Sequence, residues 1–376
     1  MEKIKILHTA DIHIGAAESF LGSGAEARRF ETLITFEKII DLAINEKVDL
    51  IAIAGDLFES NTVEERFITA VFDKIKTAAP IKVIFAAGNH DPLNAESPFL
   101  TRSLPDNLYV LGIKDECITF DDIGTKIYGR SFEHNYLQGE ETFTLKTDRD
   151  YINILVQHGE LKSDLNSDYN AITPKFVKVS GMDYIALGHV HKRTEIGKID
   201  GTHFAYCGCP EGQGFDETLQ KGVYIGEVGK NHCDLRFEPI SKRLHIEEKI
   251  DISSCKDSLE ISNAVLNQLE KNYGENFRDN LYKVSLTGEI PEDTEIITAE
   301  IVSRLETELY FVKVKNRTEF LIDFETLSNE PTLKGIFVKK MLEKEATATE
   351  EEKLILRKAM NLGLKAFKTE VKYDED

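Results

Sequence analysis

Short clusters of Asp, His and Asn recur in the first half of the chain, each after an apolar run. In chain order they are Asp11-Ile12-His13, Gly55-Asp56, Gly88-Asn89-His90-Asp91, His158-Gly159 and Gly188-His189-Val190-His191. In open α/β sheets, sites form in the crevice beyond the carboxyl ends of the strands. Asp-x-His and His-x-His on extended backbone point both side chains to one side. We therefore expect these residues to converge on one crevice.

The side chains in these clusters have the chemistry of metal ligands. A mixture of carboxylate, imidazole and amide groups suits Mn²⁺, Fe or Zn²⁺ better than Ca²⁺ or a structural thiolate site. The candidate ligands are Asp11, His13, Asp56, Asn89, His158, His189 and His191. This set is too large for one ion and suits two ions, if Asp56 bridges them. Two ions about 3.5–4 Å apart can stabilise both the attacking and the leaving oxygen of a phosphodiester. The pattern predicts a two-metal phosphoesterase centre.

His90 follows the candidate ligand Asn89, and we predict a catalytic role for it rather than a metal-binding one. Its imidazole can protonate a leaving oxygen or stabilise the charge of the transition state. Asp91 is expected to lie behind His90 and to orient or charge the ring. A single Asp at a strand end is usually a turn or cap residue. The ordered set of clusters is what favours a catalytic site.

Strand-like and helix-like segments alternate before these clusters. Apolar, β-branched runs predict strands at Lys3–Thr9, Val48–Ala54, Ile81–Ala86, Tyr151–Gln157 and Met182–Leu187. Apolar residues three and four apart predict amphipathic helices at Arg28–Glu46 and Val63–Ala78. Short strand patterns between Leu108 and Phe132, and again at Phe204–Tyr206 and Gly222–Val228, predict a second sheet. The fold class is therefore α/β, a four-layer αββα sandwich.

The pattern changes near Glu238-Pro239. Strands and helices alternate there in a shorter unit, in which His and Asp do not cluster at ligand spacing. Helical stretches follow at about Leu333–Glu345 and Thr349–Phe367. We predict three parts: a metallophosphoesterase domain over 1–238, a small α/β domain over 239–330, and C-terminal helices over 331–376.

Charge and composition limit the functions that are open to the chain. Its formal net charge is −20, whereas proteins that bind duplex DNA alone usually present basic surface. Bound cations, or a partner subunit that contacts the DNA, would reconcile this charge with a nucleic-acid substrate. The longest apolar stretches, such as Val48–Ala54, are too short to cross a bilayer. The scattered cysteines and an N-terminus unlike a signal peptide lead us to expect a cytoplasmic protein.

The clusters resemble the motifs of calcineurin-like metallophosphoesterases. The longer sequence segments around these clusters, residues 6–13, 54–58, 87–92 and 184–191, resemble the SbcD-type DNA-repair nucleases. Residues 206–216, followed by Lys221-Gly222, are similar to the bacterial YhaO branch of exonucleases. The resemblance is specific over residues 4–228.

The resemblance implies a manganese-dependent DNA nuclease. It implies Asp11, His13 and His191 on one ion, Asn89, His158 and His189 on the other, and Asp56 shared. It also implies a capping role for the small α/β domain and a catalytic role for His90. Partners implied are DNA, an SbcC-like coiled-coil ATPase bound by the C-terminal helices, and a second copy of the chain. Some family members have a functional His where this chain has Glu59, so no role is carried over to that position.

Other readings of the chain stay open. A phosphodiesterase or phosphatase for small nucleotides would use the same metals and would explain the acidic charge. A non-catalytic scaffold is a third possibility, against which the intact ligand set argues. Cys207-x-Cys209 lacks further ligands at zinc spacing, so we expect ordinary thiols in a loop near the site. His8 lies inside the first predicted strand and is expected to be a core histidine.

Overall fold

A computed structural model describes residues 3–138, 146–218, 220–291, 294, 296–321 and 323–367. The chain divides into two units, Met1–His245 and Ile246–Asp376. The predicted division into three parts, with borders after residues 238 and 330, stays a prediction. Among the described residues, helices that are both long and apolar enough to span a bilayer are absent.

The first unit contains most of the strands. They are β1 (Lys3–Thr9), β2 (Leu50–Ile53), β3 (Lys82–Phe85), β4 (Leu108–Val110), β5 (Glu116–Phe120), β6 (Thr125–Arg130), β7 (Ile152–His158), β8 (Glu160–Leu161), β9 (Ala171–Ile172), β10 (Tyr184–Gly188), β11 (Gly197–Ile199), β12 (Thr202–Tyr206), β13 (Gly222–Gly229) and β14 (His232–Pro239). Its helices are α1 (Ala25–Asn45), α2 (Glu65–Thr77), α3 (Pro98–Thr101) and α4 (Pro174–Val179), with 3-10 turns at Ser19–Gly24 and Asp121–Ile123.

These strands form two large mixed sheets among the described residues. The first sheet has the order β14-β13-β1-β2-β3-β4, in which β1 to β4 are parallel and β13 is antiparallel to β1. The second has the order β11-β12-β10-β7-β6-β5, in which β6, β7, β10 and β12 are parallel. The predicted clusters follow β1, β2, β3, β7 and β10. Parallel neighbours end at the same edge of a sheet, so the clusters of each sheet meet there.

Alternate residues of each strand enter different layers of the core. Leu7 of β1 packs with Phe36 of α1 and Phe67 of α2, whereas its neighbour Ile6 packs between the two sheets. In β7, Leu155 points away from the first sheet and contacts the layer of α4. Strands buried on both faces read as continuous apolar runs, as these do. The predicted four-layer α/β/β/α sandwich is confirmed.

The second unit is a smaller α/β assembly with helices at its end. Its elements are β15 (His245–Asp251), α5 (Ser258–Tyr273), β16 (Leu281–Thr287), β17 (Glu289–Ile290), α6 (Thr298–Leu305), β18 (Phe311–Asn316), β19 (Glu319–Phe320), α7 (Phe324–Ser328), α8 (Leu333–Glu345) and α9 (Glu350–Ala366), with a 3-10 turn at Gly274–Asp279. One sheet has the order β15-β16-β18. Thr349 and Glu352 exchange hydrogen bonds in a capping box that begins α9. Met360 and Leu364 of α9 pack on Val338 of α8, so part of the apolar face of α9 is used within the chain.

A buried network of charges joins α1 to the segments after β12 and β14. Arg28, 1% exposed, donates to Glu18 Oε1 at 2.6 Å, Glu31 Oε2 at 3.0 Å and the Gly212 carbonyl at 2.8 Å. It also pairs with Glu211 at 3.0 Å. Burial opposes the charge on Glu31, but hydrogen bonds from Arg243 and its neighbours outweigh it and lower the pKa of Glu31 to about 2.

Arg28→Ala should destabilise the first unit by about 3–5 kcal/mol, because it leaves buried carboxylates without their counter-charge. Arg29→Ala is the matched control, since within the described part of the chain Arg29 pairs with exposed Glu26 and Glu64, and its loss should cost about 1 kcal/mol or less. Urea unfolding followed by circular dichroism measures both variants. Equal free energies of unfolding would contradict a structural role for the network.

Candidate active site

The predicted ligands lie at the strand ends or in the turns that follow, and four of them have left-handed backbone. The φ values are +52° at Asp11, +51° at His13, +51° at Asp56 and +94° at His189. Residues other than glycine rarely adopt this backbone conformation, and residues strained in this way are concentrated at functional sites. The expectation that Asp-x-His and His-x-His are extended was therefore wrong. The physical reason is that β1 ends at Thr9 and β10 at Gly188, so the pairs lie in the turns that follow.

Backbone hydrogen bonds fix the first of these turns against the second. The Asp11 amide donates to the carbonyl of Gly55 at 3.0 Å. The amides of Ile12 and His13 both donate to the carbonyl of Asp56, at 2.8 and 3.0 Å. The turn after β1 is thereby held to the turn after β2, which compensates for part of the strain.

Two glycines leave the space that the ligands occupy. A Cβ on Gly88 would lie 2.1 Å from Asp56 Oδ1, and a Cβ on Gly55 would lie 2.3 Å from His158 Nδ1. Both distances are far below van der Waals contact. Glycine at positions 55 and 88 is therefore required for the ligand side chains to stand where they do.

One group of donor atoms is formed by Asp11, His13 and His191. Each can offer a ligand atom, and these atoms lie within 4.8 Å of one another. The Nε2 atoms of His13 and His191 face each other at 3.1 Å. Two imidazole nitrogens at that distance require a proton or a cation between them. The donor set fits a divalent ion.

The second group is formed by Asn89, His158 and His189. The Oδ1 of Asn89 lies 2.9 Å from His158 Nε2 and 3.2 Å from His189 Nδ1. Asp56 lies between the groups, with Oδ2 at 3.4 Å from His158 Nε2 and 3.8 Å from His13 Nε2. The structure thus brings together all the predicted ligands in two groups that share Asp56.

The charges in the site favour the binding of protons or metal cations. Burial opposes protonation of His13, but the hydrogen bond to Glu59 and the charges of Asp56 and Asp11 raise its pKa to about 9. Burial likewise opposes the charge of Asp56, but the neighbouring His158 and His13 hold its pKa below the usual value. These carboxylates hold protons on nearby imidazoles, which a divalent cation would displace on binding.

The sequence reasoning missed two carboxylates. Glu59 Oε2 accepts from His13 Nδ1 at 2.9 Å, and Glu217 Oε1 accepts from His191 Nδ1 at 2.6 Å. Burial opposes the charge of Glu217, but His191 outweighs it and lowers the pKa of Glu217 to about 2. Each hydrogen bond directs the other ring nitrogen, Nε2, toward the metal position. Two features of the sequence could have indicated these carboxylates: Glu59 lies three residues after Asp56, and Glu217 lies in a loop after the last cluster.

Asp91 does not orient His90, so that prediction was wrong. Its two oxygens accept backbone amides on both sides: Oδ1 from Gly88 at 2.9 Å and Asp56 at 3.2 Å, Oδ2 from Leu57 at 2.7 Å and Phe58 at 3.1 Å. These amides surround the carboxylate because the turns after β2 and β3 fold around it. Burial and the charge of Asp56 raise the pKa of Asp91 to about 6.

His90 is positioned by Glu59 instead. Its Nδ1 donates to the Glu59 carbonyl at 3.2 Å, and its own amide donates to Asp56 Oδ1 at 2.9 Å. The His90 ring lies edge-on to that of His13, with 4.7 Å between centroids, and is 39% exposed. His90 thus borders the metal groups and remains open to a substrate.

His8 is a core histidine, as expected, whereas Cys209 lies with His191 and Glu217 in a third group of possible ligand atoms, within 4.8 Å of one another. Cys207 and Cys209 are free thiols, and Cys209 donates to Glu217 Oε2 at 3.1 Å in the loop beside His191. Burial raises the pKa of both thiols well above the usual value. His8 is fully buried between the Tyr184 hydroxyl and the Leu187 carbonyl, and burial lowers its pKa to about 3.

A four-layer sandwich with two donor groups at its strand ends defines a metallophosphoesterase. Residues 4–193 match the family model of the calcineurin-like phosphoesterases, and the chain belongs to this family. Members of this family are hydrolases that act on phosphoester bonds and use divalent metals. The resemblance drawn from the sequence motifs is confirmed.

The sequence identity between this chain and individual similar proteins is low. The chain is 28% identical over 268 residues to the uncharacterized metallophosphoesterase YhaO of Bacillus subtilis, an alignment that covers 68% of this chain and 64% of that protein. It is 24% identical over 372 residues to the DNA double-strand break repair protein Mre11 of Saccharolobus solfataricus, with 96% and 95% covered. The protein of the same name from Methanopyrus kandleri is 27% identical over 225 residues, with 55% and 49% covered.

Gly88→Ala should lower the affinity for divalent metal by more than about tenfold, because its Cβ would displace the carboxylate of Asp56. Gly24→Ala is the control: Gly24 has φ of −79°, and a Cβ there would lie 3.7 Å from Leu21 Cβ. Metal bound per chain after dialysis against buffered Mn²⁺, measured by atomic emission, compares them. Full metal content in a folded Gly88→Ala protein would refute this account.

Proposed function

We propose that the protein is a manganese-dependent DNA nuclease, acting mainly as an exonuclease in double-strand break repair or end processing. The observation that carries the proposal is the pair of donor groups sharing Asp56, which suits hydrolysis of a phosphodiester by two ions. The similarity to proteins named DNA double-strand break repair protein Mre11 supports DNA as the substrate.

Asp11, His13 and His191 would hold one ion, Asn89, His158 and His189 the other, and Asp56 both. The mixed oxygen and nitrogen ligands favour Mn²⁺ among the common divalent ions. When bound, the two ions supply Lewis-acid activation of a water and of the phosphodiester. Backbone hydrogen bonds fix the turns that bear Asp11, His13 and Asp56. That preorganisation lowers the cost of assembling the site.

His90 would donate the proton that the leaving oxygen requires. Its Nδ1–H is held by the Glu59 carbonyl, so the donated proton would leave from Nε2 when the ring carries both protons. Asp91 would act indirectly, because its carboxylate fixes the backbone on which Asp56 and His90 stand. A catalytic acid held in this way can contribute about 10²–10⁴-fold to the rate.

A cavity of about 850 Å³ adjoins His191 and supports a nucleotide-sized substrate. Lys192 and Arg193 line it together with Asp216, Glu217 and Lys221, and Lys221 pairs with Glu217 at 3.5 Å, so the lining carries charges of both signs. Cations at this point can contact the phosphates that flank the scissile bond.

An SbcC-like coiled-coil ATPase would supply the remaining DNA-binding surface. Leu354 and Ile355 on α9 are 60% and 66% exposed, while the opposite face of that helix packs on α8. Exposed apolar residues on a helix suit docking of a partner helix. A second copy of the chain is proposed as a further partner.

His90→Ala should retain bound Mn²⁺ and lower the rate of linear DNA cleavage by about 10²–10⁴-fold. Asp56→Ala should lose both metal and cleavage, because it removes the shared ligand. His134→Ala is the matched control, as His134 is exposed and its ring lies 6.2 Å from that of Tyr136. Cleavage of end-labelled duplex DNA with Mn²⁺ is measured on gels.

The same preparations are assayed on cyclic nucleotides to test the alternative of a small-nucleotide phosphodiesterase. Turnover of cyclic nucleotides without cleavage of DNA would overturn the nuclease proposal and keep the two-metal chemistry. Wild-type activity in both His90→Ala and Asp56→Ala would rule out catalysis by this site and favour a scaffold.

A further inference from the structure

The two metal groups differ in what lies behind their histidines. In the group of Asp11, both imidazoles donate to carboxylates: His13 to Glu59 at 2.9 Å and His191 to Glu217 at 2.6 Å. A carboxylate behind a metal-bound imidazole makes the ring a stronger ligand and adds negative charge. Both histidines of this group are therefore strengthened.

The group of Asn89 is built differently. His158 Nδ1 donates to the carbonyl of Ala54 at 2.8 Å, a neutral acceptor. Glu160 Oε1 lies 3.8 Å from His189 Nε2, beyond hydrogen-bond distance. Glu160 is already paired with Lys162 at 2.8 Å, which offsets its charge. Asp11 Oδ1 also lies 3.8 Å from His158 Nδ1, so among the described residues the carboxylates behind this group's imidazoles are beyond hydrogen-bond distance.

The predicted ligands of the two groups also differ in charge. Asp11 contributes a charged carboxylate to the first group, where Asn89 contributes a neutral amide to the second. Asp56 is shared and adds its charge to both groups, with Oδ2 at 3.4 Å from His158 Nε2 and 3.8 Å from His13 Nε2. Lys221 lies 3.5 Å from Glu217 and offsets part of its charge, whereas Glu59 pairs only with the imidazoles of His13 and His90 among the described residues. Since unlike charges at these distances attract strongly in a buried site, the first group attracts a dication more strongly.

We propose that the two metal positions are unequal: Glu59 and Glu217 make the position at Asp11, His13 and His191 the tight one, and the position at Asn89, His158 and His189 binds the second ion more weakly. Glu59 and Glu217 are positioning residues, since they act through the two histidines. The inference rests on the proposed two-metal function. It gives Glu59, a carboxylate where family members can have histidine, a defined task.

Titration of metal-free protein with Mn²⁺ tests the inference without any substrate. Isothermal calorimetry, with free Mn²⁺ counted by its aqueous electron paramagnetic resonance signal, should resolve two sites that differ at least tenfold in affinity. Glu59→Gln and Glu217→Gln should each weaken the tight site by about 10–100-fold and leave the weak site unchanged. Glutamine keeps an acceptor for the imidazole, so these variants test the charge alone.

Matched controls come from neighbouring acids. Asp216→Asn removes an exposed carboxylate next to Glu217, and Glu96→Gln removes an exposed one from another loop of the same unit. Both should bind Mn²⁺ like the wild type. Asn89→Asp provides the reverse test, because it adds a carboxylate to the weak group and should narrow the difference between the sites. Circular dichroism confirms that each variant is folded.

Two equal Mn²⁺ sites in the wild type, or a weak site that responds to Glu59→Gln and Glu217→Gln while the tight site does not, would overturn the inference. Neither result touches the proposed function if DNA is still cleaved. A wild-type protein that binds two unequal ions and leaves DNA intact would instead overturn the nuclease proposal. A wild-type protein that binds no Mn²⁺ would overturn both.

Discussion

The site depends on the hydrogen bonds that the carboxylate of Asp91 accepts from the backbone. It accepts four backbone amides, from residues in the turns after β2 and β3, and so holds these turns together. Asp56 stands on one turn and Asn89 on the other, so the shared ligand and a ligand of the second group are set by this contact. Burial next to Asp56 is unfavourable for Asp91 by itself, and the four amides compensate.

The ligand turns combine strained backbone with crowded charge, and the fold tolerates both because the sheets behind them are rigid. The strands β2, β7 and β10 that precede three of the turns are fully buried, and the two outer helices Ala25–Asn45 and Glu65–Thr77 cover the first sheet. Left-handed residues such as Asp11 and His13 each cost of order 1–3 kcal/mol, which only a well-packed surrounding can sustain. Stability of the sandwich is thus a precondition for its chemistry.

The fold class and the residues that the structure brings together could be predicted from the sequence, because apolar runs and the polar clusters after them are local signals. Geometry that depends on distant contacts could not be predicted. The Asp-x-His and His-x-His pairs were expected on extended backbone, but they lie in turns, and the first of these is set by hydrogen bonds to the turn after β2. Glu217 reaches His191 across 26 positions in the chain, a distance that spacing rules do not cover. Asp91 was assigned to its sequence neighbour His90, whereas its partners are amides of the turns after β2 and β3.

The match to the family model covers residues 4–193, and Glu217 lies beyond it. The loop that carries Glu217 is tied to α1 by Arg28, which donates to the carbonyl of Gly212. The predicted ligands and Glu59 lie within the matched segment, whereas the acceptor behind His191 comes from this later loop. A substitution in the later loop can therefore change the hydrogen bond of His191 and leave every predicted ligand in place.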